Sequence, residues 1–147
     1  MKTSLKGIIL PIVTFLVFFL TVCSGEDNKK TKVEGRWYTQ SQVNIGKRVF
    51  KKNCALCHGQ NAEKTINWKK RLPDGSVPPP ALNGTAHAWH HPLKMLLQSI
   101  ENGGKPFGGK MPAFKDKLTQ EEKLAAIAYF QSFWSVEIYE GWEQRNR

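Results

Sequence analysis

Cysteine is scarce, with three in 147 residues. Disulfides therefore cannot be the framework of the fold, and a packed core or a bound group must hold the chain together. No segment alternates apolar and polar residues convincingly at the period of a half-buried strand, so strands have no claim on the fold. Internal repeats, low-complexity runs and recognisable nucleic-acid-binding motifs are also missing. Acidic residues are in deficit, 12 against 22 Lys and Arg, and the formal net charge is +10. Such a surface attracts acidic proteins, anionic lipid or nucleic acid, or it is simply a solvated face. The length predicts one compact domain.

What is present begins at the N-terminus. Lys2 and Lys6 precede an apolar run over residues 7–22, followed by small residues and then charge, the layout of a secretory signal. The run is shorter than the roughly 20 residues that span a bilayer, yet close enough that an uncleaved anchor is the competing reading. "LTVC" resembles the lipobox of bacterial lipoproteins, although Val22 stands where Gly, Ala or Ser is usual. Cys23 is then either a lipidated N-terminus and membrane tether or a residue discarded with the signal. Without the first 22 residues the chain loses two lysines and no acid, and its charge is +8. The chain is expected to be exported, to the periplasm or the outer face of the cytoplasmic membrane, where nucleic acid is seldom met.

The sequence divides into residues 1–25 as signal or anchor, 26–40 as a polar linker containing Trp37 and Tyr38, 41–136 as the folded domain, and 137–147 as a polar tail ending "EQRNR". Within the domain, Val43, Gly46, Val49 and Phe50 recur at helical spacing behind Ser41 as a candidate N-cap. A second helix opens at Pro92, carries Leu93, Leu96, Leu97 and Ile100, and stops at Gly103 and Gly104. Thr119 and Glu122 form a capping box for a third, with aromatics available for packing out to Trp134. Between the first two lies "INWKKRLPDGSVPPPALNG", too rich in proline for a long helix or a central strand. Loops of that length are uncommon unless they serve a site. The fold class is all-α: three or more helices with long loops.

The first helix delivers "CALCH", residues 54–58. A redox-active disulfide of the thioredoxin kind would need strands alternating with helices. Zinc would need two more ligands, which His87, His90 and His91 could supply. Covalent haem attachment is the recognised meaning of C-x-x-C-H and accounts for order and spacing together. Cys54 and Cys57, three apart on a helical turn, project to one side and can each form a thioether with a porphyrin vinyl group. His58 then faces the ring as an iron ligand.

A haem iron that transfers electrons commonly takes a Met thioether on its other face, which raises the potential. Met1 belongs to the signal, and Met95 lies in an amphipathic helix, where gap-filling is the usual role. Met111 remains, in "GGKPFGGKMPAF", where glycines let the backbone approach a flat ring and Pro112 keeps Met111 out of helical geometry. Its plainer role is to plug a gap in the core. A histidine among 87, 90 and 91 could ligate instead, though these also read as polar surface around a helix start.

These segments, in this order over residues 43–135, resemble the class I c-type cytochromes, specifically small bacterial monohaem cytochromes c. "GKRVFKKNCALCHG" resembles the family's N-terminal helix and haem site, "PPPALNG" its proline segment, "GGKMPAF" its methionine loop and "LTQEEKLAAIAYFQSFW" its C-terminal helix. The resemblance implies a cytochrome c-like domain around one haem c, bound through Cys54 and Cys57, with His58 and Met111 on the iron. It further implies that a proline carbonyl, best matched by Pro80, accepts a hydrogen bond from the ligand histidine, and that Gly46 and Phe50 meet an aromatic such as Tyr129 where helices cross. The insert containing Trp68 and "HAWHH" departs from the shortest members.

The expected function is electron transfer rather than enzymatic catalysis, the iron cycling between Fe(III) and Fe(II) with both ligands in place. Lys47, Arg48, Lys51 and Lys52 would steer redox proteins with an acidic docking face. A haem enzyme or gas sensor with a labile sixth ligand is the rival from another class. A third reading makes Tyr139 and Trp142 the docking residues of a haem-bearing subunit.

Overall fold

The computed structural model describes residues 31–65 and 67–146. The expected signal or anchor and Cys23 lie outside the described residues. Among those described there are five α-helices: α1 (Gln40–Asn53), α2 (Ala55–His58), α3 (Leu93–Asn102), α4 (Gln120–Gln131) and α5 (Val136–Gln144). Strand pairing among them is limited to two isolated bridges, Lys32 with Thr39 and Val77 with Gly109. The fold is all-α, and no helix among the described residues is long and apolar enough to cross a membrane.

α1 starts two residues earlier than Ser41 would place it. Thr39 is the N-cap, its hydroxyl accepting from the Gln42 amide while the Gln42 side chain accepts from the Thr39 amide. Ser41 is already inside the helix, where a hydroxyl has no free amide to cap. Gly46, Val49 and Phe50 form the buried face of α1, which crosses α4. A methyl group on Gly46 would lie 1.8 Å from the Ala125 carbonyl oxygen, so only glycine permits this approach. One turn on, the Phe50 and Tyr129 rings meet with centroids 5.3 Å apart.

α4 begins with its capping box intact, Thr119 with Glu122, and is buried on nearly every side from Lys123 to Gln131, as befits a central helix. Lys123 is tolerated there because its ammonium reaches Glu101 of α3 at 2.5 Å, the stem lying along apolar neighbours. The helix ends at Gln131, and residues 132–135 turn the chain into α5.

α5 and the strap before α1 overturn two expectations. Over its described residues, 137–146, the expected polar tail is no tail: Tyr139 and Trp142 are 2% and 3% exposed, inside the main core cluster. The reading that made them docking residues for another protein is thereby excluded, since their surfaces are already spent on this chain. Residues 32–39 are no loose linker either. Tyr38 is fully buried, the Trp37 indole donates to Gln131 at 2.6 Å, and the Trp37 amide donates to the Tyr139 hydroxyl at 2.9 Å. Arg36 lies over the Tyr139 ring at 4.0 Å. Buried indoles need a polar partner for their N–H, and those of Trp134 and Trp142 find the carbonyls of Leu82 and His91.

Candidate haem site

α1 and α2 are separated by a single residue, Cys54, which closes α1 through its amide to the Phe50 carbonyl. The short α2 then carries Leu56, Cys57 and His58. Both cysteines are free thiols, Cys54 half-buried and Cys57 exposed. Burial, with Cys57 adding to it, pushes the Cys54 thiol up to about 11. That is the reverse of the depressed thiolate on which a redox-active C-x-x-C depends.

His58 is buried. Its Nδ1 lies 2.9 Å from the Pro80 carbonyl oxygen; a carbonyl can only accept, so Nδ1 carries the proton and Nε2 is left with its lone pair. Burial holds the imidazole below its ordinary titration range, and the Pro80 bond partly opposes this. The result is a neutral, oriented ring of the sort iron requires. The donor set therefore fits haem c: two unpaired thiols three residues apart, followed at once by an imidazole whose tautomer is fixed. Among the triple proline, it is Pro80 that makes this contact.

Zinc fits less well. His87 stacks on Trp68 with centroids 4.1 Å apart, and His90 stacks on Trp89 at 3.8 Å. No group of three or more His, Cys, Asp or Glu gathers to hold a metal among the described residues. The insert is thus organised by ring stacking, and a cleft of about 440 Å³ opens between Trp68, His87 and Pro80.

Met111 sits apart from Cys54 in the packing. It contacts the smaller core cluster of Val49, Phe114, Leu118 and Ala126, whereas Cys54 contacts the larger one. Its loop is folded back on itself, with the Gly104 amide donating to the Met111 carbonyl and the Gly109 amide to the Gly104 carbonyl, both at 2.9 Å. Gly103 adopts φ +76° and has no room for a side chain, which would strike the Met111 carbonyl at 2.6 Å. Met95, by contrast, is 37% exposed and fills no gap, because its place on α3 faces outward.

Three further contacts were not legible in the motifs. Tyr129 donates its hydroxyl to the Gln60 carbonyl at 3.0 Å, tying α4 to the loop after His58. Asp74 pairs with Lys110, and the Val77 amide donates to the Gly108 carbonyl at 2.9 Å. The Asp-Gly turn at 74–75 was the available signal for the second, but a turn does not name its partner.

Residues 41–130 match the family model described as cytochrome C oxidase, cbb3-type, subunit III. The Cbb3-type cytochrome c oxidase subunit FixP of Sinorhizobium medicae (strain WSM419) is 33% identical over 99 residues, 63% of this chain and 30% of that protein. The chain thus spans under a third of the curated relative's length. No solved structure matches it. With a C-x-x-C-H segment, a histidine held by a proline carbonyl and a match across most of the folded region, the chain belongs to the cbb3-type cytochrome c oxidase subunit III family and is a class I c-type cytochrome.

Proposed function

We propose that this protein carries one haem c, joined to Cys54 and Cys57 by thioethers and ligated by His58 and Met111, and that it passes single electrons between proteins outside the cytoplasm. The observation that carries the reading is the 2.9 Å contact between His58 Nδ1 and the Pro80 carbonyl, which leaves Nε2 as the basic atom of a buried imidazole. Bound haem supplies a one-electron iron couple. The chain's part is to hold still around it. Pro80 fixes the rotation of His58, Gly46 lets α1 pack on α4 directly before the attachment segment, and the closed 104–111 loop limits how far Met111 can move. Little reorganisation at each transfer is the expected benefit.

The relative's name describes a subunit of an oxidase, and this chain is proposed to deliver electrons to such a complex rather than to perform catalysis itself. Its N-terminal segment would export it and, if retained or lipidated at Cys23, tether it to the membrane. Leu56, 88% exposed between the two cysteines, and Phe107, 63% exposed in the methionine loop, stand beside lysines and suit an acidic partner with an apolar centre.

The test is Met111→Ala in the matured protein. Thioether ligation predicts that the far-red band of ferric Met-ligated haem disappears while the covalent haem stays. A wild-type protein that lacks the band and binds carbon monoxide or cyanide at once would favour the rival reading, a haem enzyme or gas sensor. Intact mass of the mature chain reports the attached haem, the cleavage point and any acyl group.

A further inference from the structure

Residues 74–80 touch both of the segments that bear the iron ligands. At one end the Pro80 carbonyl accepts from His58 Nδ1 at 2.9 Å. Three residues earlier, the Val77 amide donates to Gly108 at 2.9 Å and pairs in parallel with Gly109, two residues before Met111. Asp74 extends that second attachment by its ion pair with Lys110. The turn behind it is closed on itself: Arg71 Nη1 donates to the Gly75 carbonyl at 2.7 Å, the Leu72 amide to Ser76 at 2.9 Å, and the Ser76 amide to the Asp74 carboxylate at 2.9 Å.

What joins the two attachments is Pro78, Pro79 and Pro80. Each ring fixes its own φ, and each proline drives the residue before it into extended geometry, so that residues 77–79 are all restricted. A run of this kind is a semi-rigid spacer.

We propose that residues 74–80 are a strap of fixed length between the histidine segment and the methionine loop, and that Asp74, Pro78 and Pro79 are positioning residues setting how readily the sixth ligand lets go. The inference rests on the ligation of iron by His58 and Met111. With the spacer stiff, the methionine loop cannot swing outward without breaking the Val77 and Asp74 contacts or dragging on Pro80. With it soft, the loop opens independently of the histidine side.

The test uses the haem-loaded full chain in the ferric state and measures the rate at which cyanide replaces the sixth ligand. The double variant Pro78→Gly/Pro79→Gly keeps the Pro80 carbonyl and relaxes the spacer; cyanide binding is expected to be about tenfold faster. Asp74→Asn and Lys110→Gln break only an exposed pair, and each is expected to speed binding about twofold at low salt and to match the wild type at high salt. Their unfolding midpoints in urea should stay at the wild-type value, which separates positioning from a general loss of stability. If the glycine variant fails to retain its fold, the two exposed variants decide. Unchanged cyanide rates in proteins that all keep the far-red thioether band overturn the strap alone. Absence of the band from the wild type overturns Met111 ligation and the strap with it.

Discussion

Gly46 shows how one missing methyl can govern a fold. A Cβ there would lie 1.8 Å from a backbone oxygen, and backbone, unlike a flexible side chain, cannot step aside. Gly46→Ala should push α1 off α4 and cost upward of about 3 kcal/mol, beyond ordinary overpacking; urea unfolding of the holoprotein measures this. Tyr38 gives a second single-residue effect. Its burial, with Tyr139 adding and Arg36 opposing, raises the phenol to about 12 from an ordinary value of 10.0. A group whose native value is raised stabilises the fold below its unfolded value and loses that contribution as pH climbs to the native one. Stability should fall between about pH 10 and 12, and Tyr38→Phe should flatten that fall. An equal fall in both proteins would mean that Tyr38 is not the titrating group.

Among elements, α5 illustrates what sequence patterning conceals. Its buried residues, Tyr139 and Trp142, and the partly buried Ile138 stand at i, i+1 and i+4, a helical stripe. Glu137, Glu140, Glu143 and the polar ending surround it, so the stretch reads as a charged tail with scattered aromatics. The apolar spacing of α1 and the capping box of α4 needed no such tertiary information, since both signals are local. The same distinction separates the site residues. The CALCH segment is contiguous and announces itself, while the strap's partners, Val77 with Gly108 and Asp74 with Lys110, are separated by 31 and 36 positions and carry no mark of each other. Trp142→Ala is expected to cost about 3–5 kcal/mol and to loosen the Ala88–His90 turn, because the indole holds the His91 carbonyl at 2.9 Å. Asn146 caps α3 from 53 residues away, its side-chain oxygen accepting from the Leu93 amide at 2.8 Å. Asn146→Ala should therefore cost about 1 kcal/mol, although no motif at residues 92–93 points to residue 146. Urea midpoints rank the two, and a tail without structural weight would leave both unchanged.

At the scale of the whole molecule, the excess of cations acquires a direction. The exposed side of α1 presents Lys47, Arg48, Lys51 and Lys52, the helix contains no acid, and it runs straight into Cys54. Electron transfer needs only a brief encounter, so a field that steers an acidic partner toward this end acts chiefly on the association rate. Screening shortens the reach of that field from about 30 Å at 0.01 M salt to about 10 Å at 0.1 M. Transfer to an acidic redox protein should slow on the order of tenfold across that range. Lys51→Glu/Lys52→Glu should lower the rate at low salt and flatten its salt dependence, leaving the absorption spectrum of the protein unchanged because both residues are exposed on α1. A rate independent of salt in the wild type, or one that falls equally steeply in the charge-reversed protein, would show that α1 is a solvated face and that partners dock elsewhere.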